Sequence, residues 1–316
     1  MQGKSDRQIL ERKAIRNMKK SLSILIPTFN DTCLQLVRQL NEQATHIDGL
    51  AYEILVADDG STDASVVETN QQINSLPHCR FIRREENVGR STIRNILAKT
   101  AQYEWLLFVD SDMSVAREDF IKKYVETEGS NLYGGYIVTG DERQLEGNLR
   151  FIYEKKAEGA HTFDRRQQNP YADFHTSNFL IDRTLYEQHP LDTRFRHYGY
   201  EDVLMGKELQ QADIHITHID NPLAFATFED NPHFVEKTEE GLRTLAAFKD
   251  ELEGYSRLLA FALKAKRTGI NKIITFVYKR MSERWRNNLC GNHPSLSIFK
   301  WYKLGYLLQL LAKEQA

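Results

Sequence analysis

Over its first 110 residues the sequence alternates between short apolar runs and helical patterns, which restricts the fold sharply. Predicted strands lie at 22–27, 53–57, 79–83 and 104–109, and all except 79–83 are mainly apolar. The helical patterns lie between them, at 31–44, 63–75 and 88–102. Continuously apolar strands joined by helices are typical of a mostly parallel sheet that is covered on both sides. The sequence therefore predicts an α/β fold with helices on both faces of the sheet. Further strands are predicted at 133–139 and 173–182.

Asp110-Ser111-Asp112 directly follows the fourth predicted strand and is the most informative motif. Ligands of parallel sheets bind beyond the carboxyl ends of the strands. Two carboxylates two residues apart repel each other unless a positive group lies between them, and Mg²⁺ or Mn²⁺ bound to a diphosphate is such a group. The alternative is a solvated turn with capping acids, which the position after a buried strand disfavours.

The first two apolar runs end in Pro27-Thr28-Phe29-Asn30 and Asp58-Asp59-Gly60-Ser61. Neither motif has the glycine-rich loop of a dinucleotide site or the Gly-Lys-Ser/Thr of a phosphate loop, which counts against NAD and ATP enzymes of those types. A carboxylate of the second motif could accept a hydrogen bond from a base or a ribose hydroxyl. A turn followed by a helix cap is the alternative.

Arg90 and Arg94 lie four residues apart on the third helical pattern and therefore share one face. On that face they could bind a pyrophosphate over the strand ends. The alternative is an exposed basic helix face, and the sequence leaves both interpretations open.

Four sequence blocks together resemble glycosyltransferase family 2. They are 23–30 (SILIPTFN), 56–63 (VADDGSTD), 87–95 (NVGRSTIRN) and 108–112 (FVDSD). The blocks follow the order and spacing of the family, and the resemblance covers about residues 21–250. It implies the GT-A fold, a Rossmann-like and mostly parallel sheet. It also implies a nucleotide-diphosphate sugar as donor, for which we expect a UDP-sugar.

The resemblance also implies roles for the strand-end motifs. Pro27-Thr28 would line the nucleotide pocket, and Asp59 would hold the base. Asp110-Ser111-Asp112 looks like the DxD motif, which contacts the nucleotide sugar and binds the Mn²⁺ or Mg²⁺ ion that bridges the diphosphate. Asp112 is the expected direct metal ligand, with Asp110 beside it.

A further block lies in the second half, where Tyr198-Gly199-Tyr200-Glu201-Asp202 resembles the Gly-x-x-Glu-Asp segment that inverting members carry at a helix start. The resemblance implies that Asp202 is the general base for the acceptor hydroxyl and that Glu201 binds the acceptor. The alternative is that both acids complement a helix dipole. His175 and Asn178 lie in the region that shapes the acceptor pocket of such enzymes, or else they form a polar strand edge.

The chain departs from the family at the expected third metal ligand. Relatives with a segment like Asp220-Asn221-Pro222 often carry a histidine about where Phe225 stands here. His218, in a predicted strand, is the candidate that remains, although a single histidine is more often structural than a ligand.

The net charge of −2 is unevenly distributed along the chain. Residues 1–20 hold seven Lys and Arg against two Asp and Glu, and residues 255–316 hold twelve against two. Residues 21–254 carry 23 basic and 40 acidic residues. The net charge of the whole chain argues against bulk nucleic-acid binding. We expect a basic arm at 1–20, a GT-A domain at 21–254 and a basic helical extension at 255–316.

The extension 255–316 has two interpretations. Its basic residues surround aliphatic and aromatic ones, most densely in 296–311, which is typical of a helix in an anionic membrane interface. The alternative is a helical appendage packed on the catalytic domain or on a second copy of the chain in a homodimer.

Three widely spaced cysteines, a charged start and no apolar run of 18 residues indicate a cytoplasmic protein, peripheral at the inner membrane face if the extension binds lipid. We expect a metal-dependent inverting glycosyltransferase that builds a polysaccharide on a glycan or lipid-linked glycan acceptor. One alternative is a non-catalytic module that binds glycan or a membrane surface. Another is a sugar-phosphate nucleotidyltransferase, which needs a glycine- and lysine-bearing loop that Pro27-Thr28-Phe29-Asn30 does not provide.

Overall fold

The structure is a computed structural model that describes residues 18–313, so most of the predicted arm at 1–20 lies outside the described residues. Strands and helices alternate through the first half as predicted. They are β1 (Ser21–Thr28), α1 (Leu34–Thr45), β2 (Ala51–Asp58), α2 (Ala64–Gln71), β3 (Cys79–Arg83), α3 (Arg90–Thr100) and β4 (Trp105–Val109). A short 3₁₀ helix, Gln72–Ser75, follows α2 directly.

The second half has shorter strands and more helix. Its first elements are β5 (Met113–Val115), α4 (Phe120–Glu126), β6 (Asn131–Tyr133), β7 (Tyr136–Val138), α5 (Glu142–Leu145), α6 (Leu149–Glu158) and α7 (Phe163–Arg166). They are followed by β8 (Asn178–Asp182), α8 (Arg183–Gln188), α9 (Glu201–Gln211), β9 (Thr217–His218) and β10 (Leu223–Phe225). The chain then forms α10 (Asn231–Ala247), α11 (Arg257–Arg267), α12 (Asn271–Leu289) and α13 (Leu296–Lys313).

The main sheet has seven strands in the order β3-β2-β1-β4-β8-β6-β9. Strands β3, β2, β1 and β4 are parallel to one another, and β8 runs antiparallel to both of its neighbours. The pairing aligns Thr28 with Asp58 at the carboxyl ends of β1 and β2. A second sheet has the order β5-β10-β7. The predicted mostly parallel α/β sheet is confirmed.

Alternating side chains of the central strands enter two separate cores, one on each face of the sheet. On one face Ile24 of β1 packs in a cluster with Val37 of α1. On the other face Leu25 of β1 packs in a cluster with Leu97 of α3 and Met205 of α9. Strands buried on both faces explain the continuously apolar runs of the sequence.

Two predicted strands are wrong in their extent. The predicted strand at 133–139 is split at Gly134-Gly135, so that β6 joins the main sheet and β7 joins the small one. Gly135 has φ +81°, and a Cβ atom there would lie 2.4 Å from Cζ of the buried Arg166. The chain therefore turns sharply where hydrophobicity alone indicates continuity. The predicted strand at 173–182 begins only at Asn178.

The last helix packs inside the molecule. Leu304, Leu307, Leu308 and Leu311 of α13 are buried in a cluster with Leu245 of α10. The apolar side of 296–311, which composition alone associates with a membrane interface, is therefore covered by the protein's own helices. Over residues 18–313, no helix is both long and apolar enough to cross a membrane.

Candidate active site

Polar residues from three adjacent strands meet at one edge of the main sheet. Thr28 ends β1, Asp58 ends β2, and Asp110 follows β4. Because these strands are parallel neighbours, their carboxyl ends lie together. The amide of Asp59 donates a hydrogen bond of 2.9 Å to the carbonyl of Thr28, which ties two of the predicted motifs to each other.

The predicted base-binding carboxylate of Asp59 holds the loop before α3. Its Oδ1 accepts from the amide of Val88 at 2.9 Å, and its Oδ2 accepts from the amide of Gly89 at 3.0 Å. Burial raises the pKa of Asp59, although these two amides oppose the shift. Gly89 has φ +87°, and a Cβ atom there would lie 2.5 Å from the carbonyl oxygen of Arg196. Asp59 thereby fixes the position from which α3 begins.

The predicted nucleotide pocket lies at the end of β1. Thr28 is buried, and its hydroxyl donates to the carbonyl of Asp31 at 2.8 Å. Pro27 beside it is partly buried. The next side chain, Phe29, is 48% exposed and offers an aromatic surface at this edge.

Arg90 and Arg94 share a face of α3, as predicted, and connect the two halves of the site. Nη2 of Arg94 lies 2.5 Å from Oδ1 of Asp110, and Nε of Arg90 lies 3.0 Å from Oε1 of Glu201. Arg90 Nη2 also lies 3.7 Å from Asp110 Oδ2, and Arg94 Nη1 lies 3.8 Å from Glu201 Oε1. One pair of guanidinium groups thus binds a carboxylate from the β4 end and a carboxylate from the start of α9.

These contacts correct the predicted roles of Arg94 and Glu201. Arg94 is only 2% exposed, and its terminal nitrogens are occupied by protein acceptors, so it does not present a charge to a diphosphate. Glu201 is equally buried and faces the two arginines rather than an open acceptor site. Arg90 is partly exposed, and its guanidinium lies 4.8 Å from the ring centroid of Tyr198.

Asp110 and Asp112 have different surroundings, although Ser111 alone separates them. Burial favours the neutral form of Asp110, but the charges of Arg94 and Arg90 outweigh it and lower the pKa of Asp110. Burial together with the charge of Asp110 raises the pKa of Asp112. Arg150 of α6 provides a cation near Asp112, with its Nη2 at 3.4 Å from Oδ2.

Asp112 is the carboxylate of this motif that fits a divalent ion. Its side chain is 29% exposed, against 18% for Asp110. A nearby cation would relieve the repulsion from Asp110 that raises its pKa. The part of the chain that the structure describes contains no group of three or more His, Cys, Asp and Glu residues able to hold a metal. Diphosphate oxygens and water would therefore have to complete the coordination.

His175 and Asp202 form a hydrogen-bonded pair, which joins two residues predicted separately. His175 Nδ1 lies 2.8 Å from Asp202 Oδ2, and Asp202 Oδ1 accepts from the amide of Val203 at 2.8 Å. Burial opposes both charges, but mutual attraction outweighs it, so the pKa of His175 is raised and the pKa of Asp202 is lowered. The imidazole stays partly exposed.

Two other predicted site residues are structural, and these predictions are wrong. Asn178 is fully buried, donates to the carbonyls of Gly135 and Asn221, and accepts from the hydroxyl of Tyr124. It holds β8 against the turn between β6 and β7.

His218 is also buried. Its Nδ1 lies 3.3 Å from Nη1 of Arg166, and its Nε2 lies 2.9 Å from the carbonyl of Pro170. Burial lowers its pKa to about 4. Because protein atoms lie against both ring nitrogens, His218 is not placed to be a third metal ligand.

Sequence reasoning missed the basic group around Asp112. Arg150 ion-pairs with Glu229 as well as with Asp112, and Lys237 lies 3.2 Å from Glu229. The guanidinium of Arg150 lies 4.1 Å from the ring centroid of Phe225, the position where the family pattern has a histidine. The phenylalanine at position 225 was the sequence signal for this cation, because an aromatic ring can bind a guanidinium group beside Asp110-Ser111-Asp112.

Comparison with known proteins bears on the family of the chain. The model of glycosyl transferase family 2 matches residues 23–189, more than half of the chain. An uncharacterized glycosyltransferase of Haemophilus influenzae is 37% identical over 91 residues, 29% of either chain. The poly(ribitol-phosphate) beta-glucosyltransferase of Bacillus spizizenii is 34% identical over 106 residues, 33% of this chain and 16% of that protein. These matches span less than half the length of the curated relatives.

Two solved structures share the fold. The mannosyltransferase PcManGT from Pyrobaculum calidifontis, in complex with GDP-Man and Mn²⁺, has a TM-score of 0.53 at 13% identity, covering 97% of this chain and 93% of that one. S. aureus TarS 1–349 in complex with UDP-GlcNAc has a TM-score of 0.50 at 17% identity, covering 93% and 91%. They support the GT-A architecture, and the family match decides the affiliation: the chain belongs to glycosyltransferase family 2.

Proposed function

We infer that the protein transfers a sugar from a nucleotide-diphosphate sugar to an acceptor hydroxyl, with inversion at the anomeric carbon. One observation carries this proposal. The Arg90 and Arg94 guanidinium groups bind both Asp110 of the strand-end motif and Glu201, the neighbour of Asp202, which supports a single site for the donor motif and Asp202.

Asp202 is the proposed general base. It takes the proton of the acceptor hydroxyl while that oxygen forms a bond to the anomeric carbon. The bond from this carbon to the diphosphate breaks, and its electron pair leaves with the nucleotide diphosphate. His175 holds Asp202 through the 2.8 Å contact and disperses the charge of the pair.

Asp112, with Asp110 beside it, is the proposed holder of Mn²⁺ or Mg²⁺. When bound, such an ion neutralises the charge that develops on the leaving diphosphate. Arg150 and the exposed part of Arg90 provide further positive charge at the same edge. The mannosyltransferase neighbour with Mn²⁺ supports manganese as the first ion to test.

A UDP-sugar is the proposed donor, and a hydroxyl of a growing polysaccharide is the proposed acceptor. The complex of TarS with UDP-GlcNAc supports the first part, and the name of the poly(ribitol-phosphate) relative supports the second. A cytoplasmic location is consistent with the free thiols of Cys33, Cys79 and Cys290.

A donor-turnover assay tests the proposal. UDP- and GDP-sugars are incubated with the protein and Mn²⁺, with and without glycan acceptors, and nucleotide release is measured. We expect release from one donor class, loss of release with EDTA and an inverted anomeric configuration in the product by NMR. Binding of a donor without any release would contradict a transferase and favour a non-catalytic binding module. Formation of a nucleotide sugar from sugar phosphate and nucleoside triphosphate would favour a nucleotidyltransferase.

A further inference from the structure

We propose that an exposed face on residues 261–284, which include most of α11, the following turn and most of α12, docks on an anionic lipid bilayer. The apolar members of this hairpin face are Phe261, Ile270, Ile273, Phe276 and Val277. The proposal concerns a partner of the protein, and it stands whether or not the proposed transfer reaction is correct.

The hairpin face concentrates exposed apolar side chains. Five of the seven large hydrophobic residues exposed in the described chain belong to it, including Ile273 at 67% and Phe276 at 73% exposure. Ile270, Ile273 and Val277 are spaced three and four residues apart, which places them on one side of the helix. Exposed apolar residues that are clustered rather than scattered mark an interaction surface.

Basic side chains surround this apolar group. Exposed lysines and arginines on the same segments are Lys264, Arg267, Lys272, Lys279, Arg280 and Arg284. Within residues 255–313 Glu283 is the one acidic residue. Arg267 lies 3.8 Å from Glu253, and the other five make no ion pair with any residue of 18–313. The positive charge is therefore available to a partner.

The opposite side of the same hairpin is anchored in the protein. Leu259 and Ala262 of α11 are buried in the cluster of α10 and α13, and Tyr278 of α12 packs against Gly305 of α13. A Cβ atom on Gly305 would lie 2.4 Å from the Tyr278 ring, so the two helices are in close contact. The hairpin is thus packed on the protein through one side, and its apolar and basic side faces outward, as in a helix that lies in a membrane interface.

Charge favours a bilayer over a second copy of the chain. In a symmetric dimer through the hairpin face, the basic residues of one copy would face those of the other and repel them. An anionic lipid surface attracts each such residue and accepts the aromatic and aliphatic side chains among its acyl chains.

Vesicle flotation of the full chain tests the proposal. Vesicles of phosphatidylcholine alone are compared with vesicles that also contain phosphatidylglycerol, and we expect binding to the second kind only. Lys279→Gln/Arg280→Gln should weaken binding by about 25-fold, since each charge contributes about fivefold. Ile273→Ser/Phe276→Ser should weaken it by about tenfold or more.

Arg38→Gln/Arg80→Gln is the matched control, because it removes two exposed charges outside the hairpin face. Equal loss of binding in this control, or equal binding to neutral vesicles, would overturn the proposal. So would a dimer in light scattering that Ile273→Ser/Phe276→Ser dissociates, because the face would then be a self-interface. Donor hydrolysis in solution, which these variants should retain, reports separately on the catalytic site.

Discussion

Nδ1 of His175 lies 2.8 Å from Oδ2 of Asp202, so the proposed base does not titrate alone. Asp202 is the second residue of α9, while His175 lies in the loop before β8. Their contact gives the site an imidazole whose pKa is raised above its ordinary value and a carboxylate whose pKa is lowered, with burial opposing both shifts. The two groups form one coupled proton-accepting unit.

We predict that kcat/KM falls as the pH drops below the raised pKa of His175. In the imidazolium form, His175 withdraws electron density from Asp202 and makes it a weaker base. The other groups that act on the imidazole are Glu154, Asp173 and His161, and the two carboxylates add to the upward shift. His175→Gln keeps a side chain able to donate a hydrogen bond but removes the titration, so the acid limb should move to the lower range of a carboxylate. A pH–rate profile with the same acid limb in both proteins would contradict this coupling.

Asp202→Asn should reduce transfer by about 10² to 10⁴-fold, because the amide cannot accept the acceptor's proton. Donor affinity should change little, since Asp202 contacts His175 and Val203 rather than the strand-end motif. Calorimetric titration with donor and Mn²⁺ checks binding, and acceptor-dependent product formation checks transfer. Full transfer activity in this variant would falsify the assignment of the base.

We expect Asp110→Asn to lower the stability of the fold and Asp112→Asn to weaken donor binding. Asp110 balances the buried guanidinium of Arg94, and removing one partner of a buried pair costs about 3 kcal/mol. Asp112 is more exposed, and the cation that it contacts, Arg150, lies 3.4 Å away. Removing the Asp112 charge should therefore have little effect on stability. We expect Asp112→Asn to melt near the wild-type temperature but to lose the Mn²⁺-dependent part of donor binding. Thermal melts with and without donor and Mn²⁺ measure both effects. The reverse pattern, with an unstable Asp112→Asn and a stable Asp110→Asn, would refute this division.

Glu201→Gln tests whether Glu201 acts on the acceptor or on the fold. The change removes the negative charge of a buried carboxylate that Arg90 and Arg94 contact. We therefore expect the free energy of unfolding to fall by about 3 kcal/mol. The exposed Glu68→Gln makes the same chemical change on the surface and should have almost no effect. Urea unfolding of the two variants provides the comparison. Wild-type stability with a raised acceptor KM would instead support the acceptor-binding role.

Site residues could be predicted from the sequence where neighbouring residues form a motif, and not where the site depends on contacts between distant segments. Asp110-Ser111-Asp112 could be singled out because a strand end is encoded by neighbouring residues, and Glu201-Asp202 could be singled out because the segment resembles a short motif of the family. The assignments of Asn178 and His218 failed because their hydrogen-bond partners come from distant segments, and burial removed both from the site. Arg150 was not recognised at all, since an arginine on a helix looks like solvated surface until the fold brings it to Asp112. The spacing of residues along the sequence does not reveal contacts between distant residues, such as that of His175 with Asp202.

Helix α13 packs on the protein through its leucine-rich side. Composition left open whether 296–311 meets a membrane or the protein, and the structure buries Leu308 against the helices of the catalytic region. Leu308→Ala should therefore lower the free energy of unfolding by about 2–5 kcal/mol. Trp301 on the same helix is 51% exposed, so Trp301→Ala should cost far less. Urea unfolding distinguishes the two, and vesicle binding should be retained by folded Leu308→Ala because the hairpin face is untouched. A larger loss of stability for Trp301→Ala than for Leu308→Ala would mean that this helix packs through its other side.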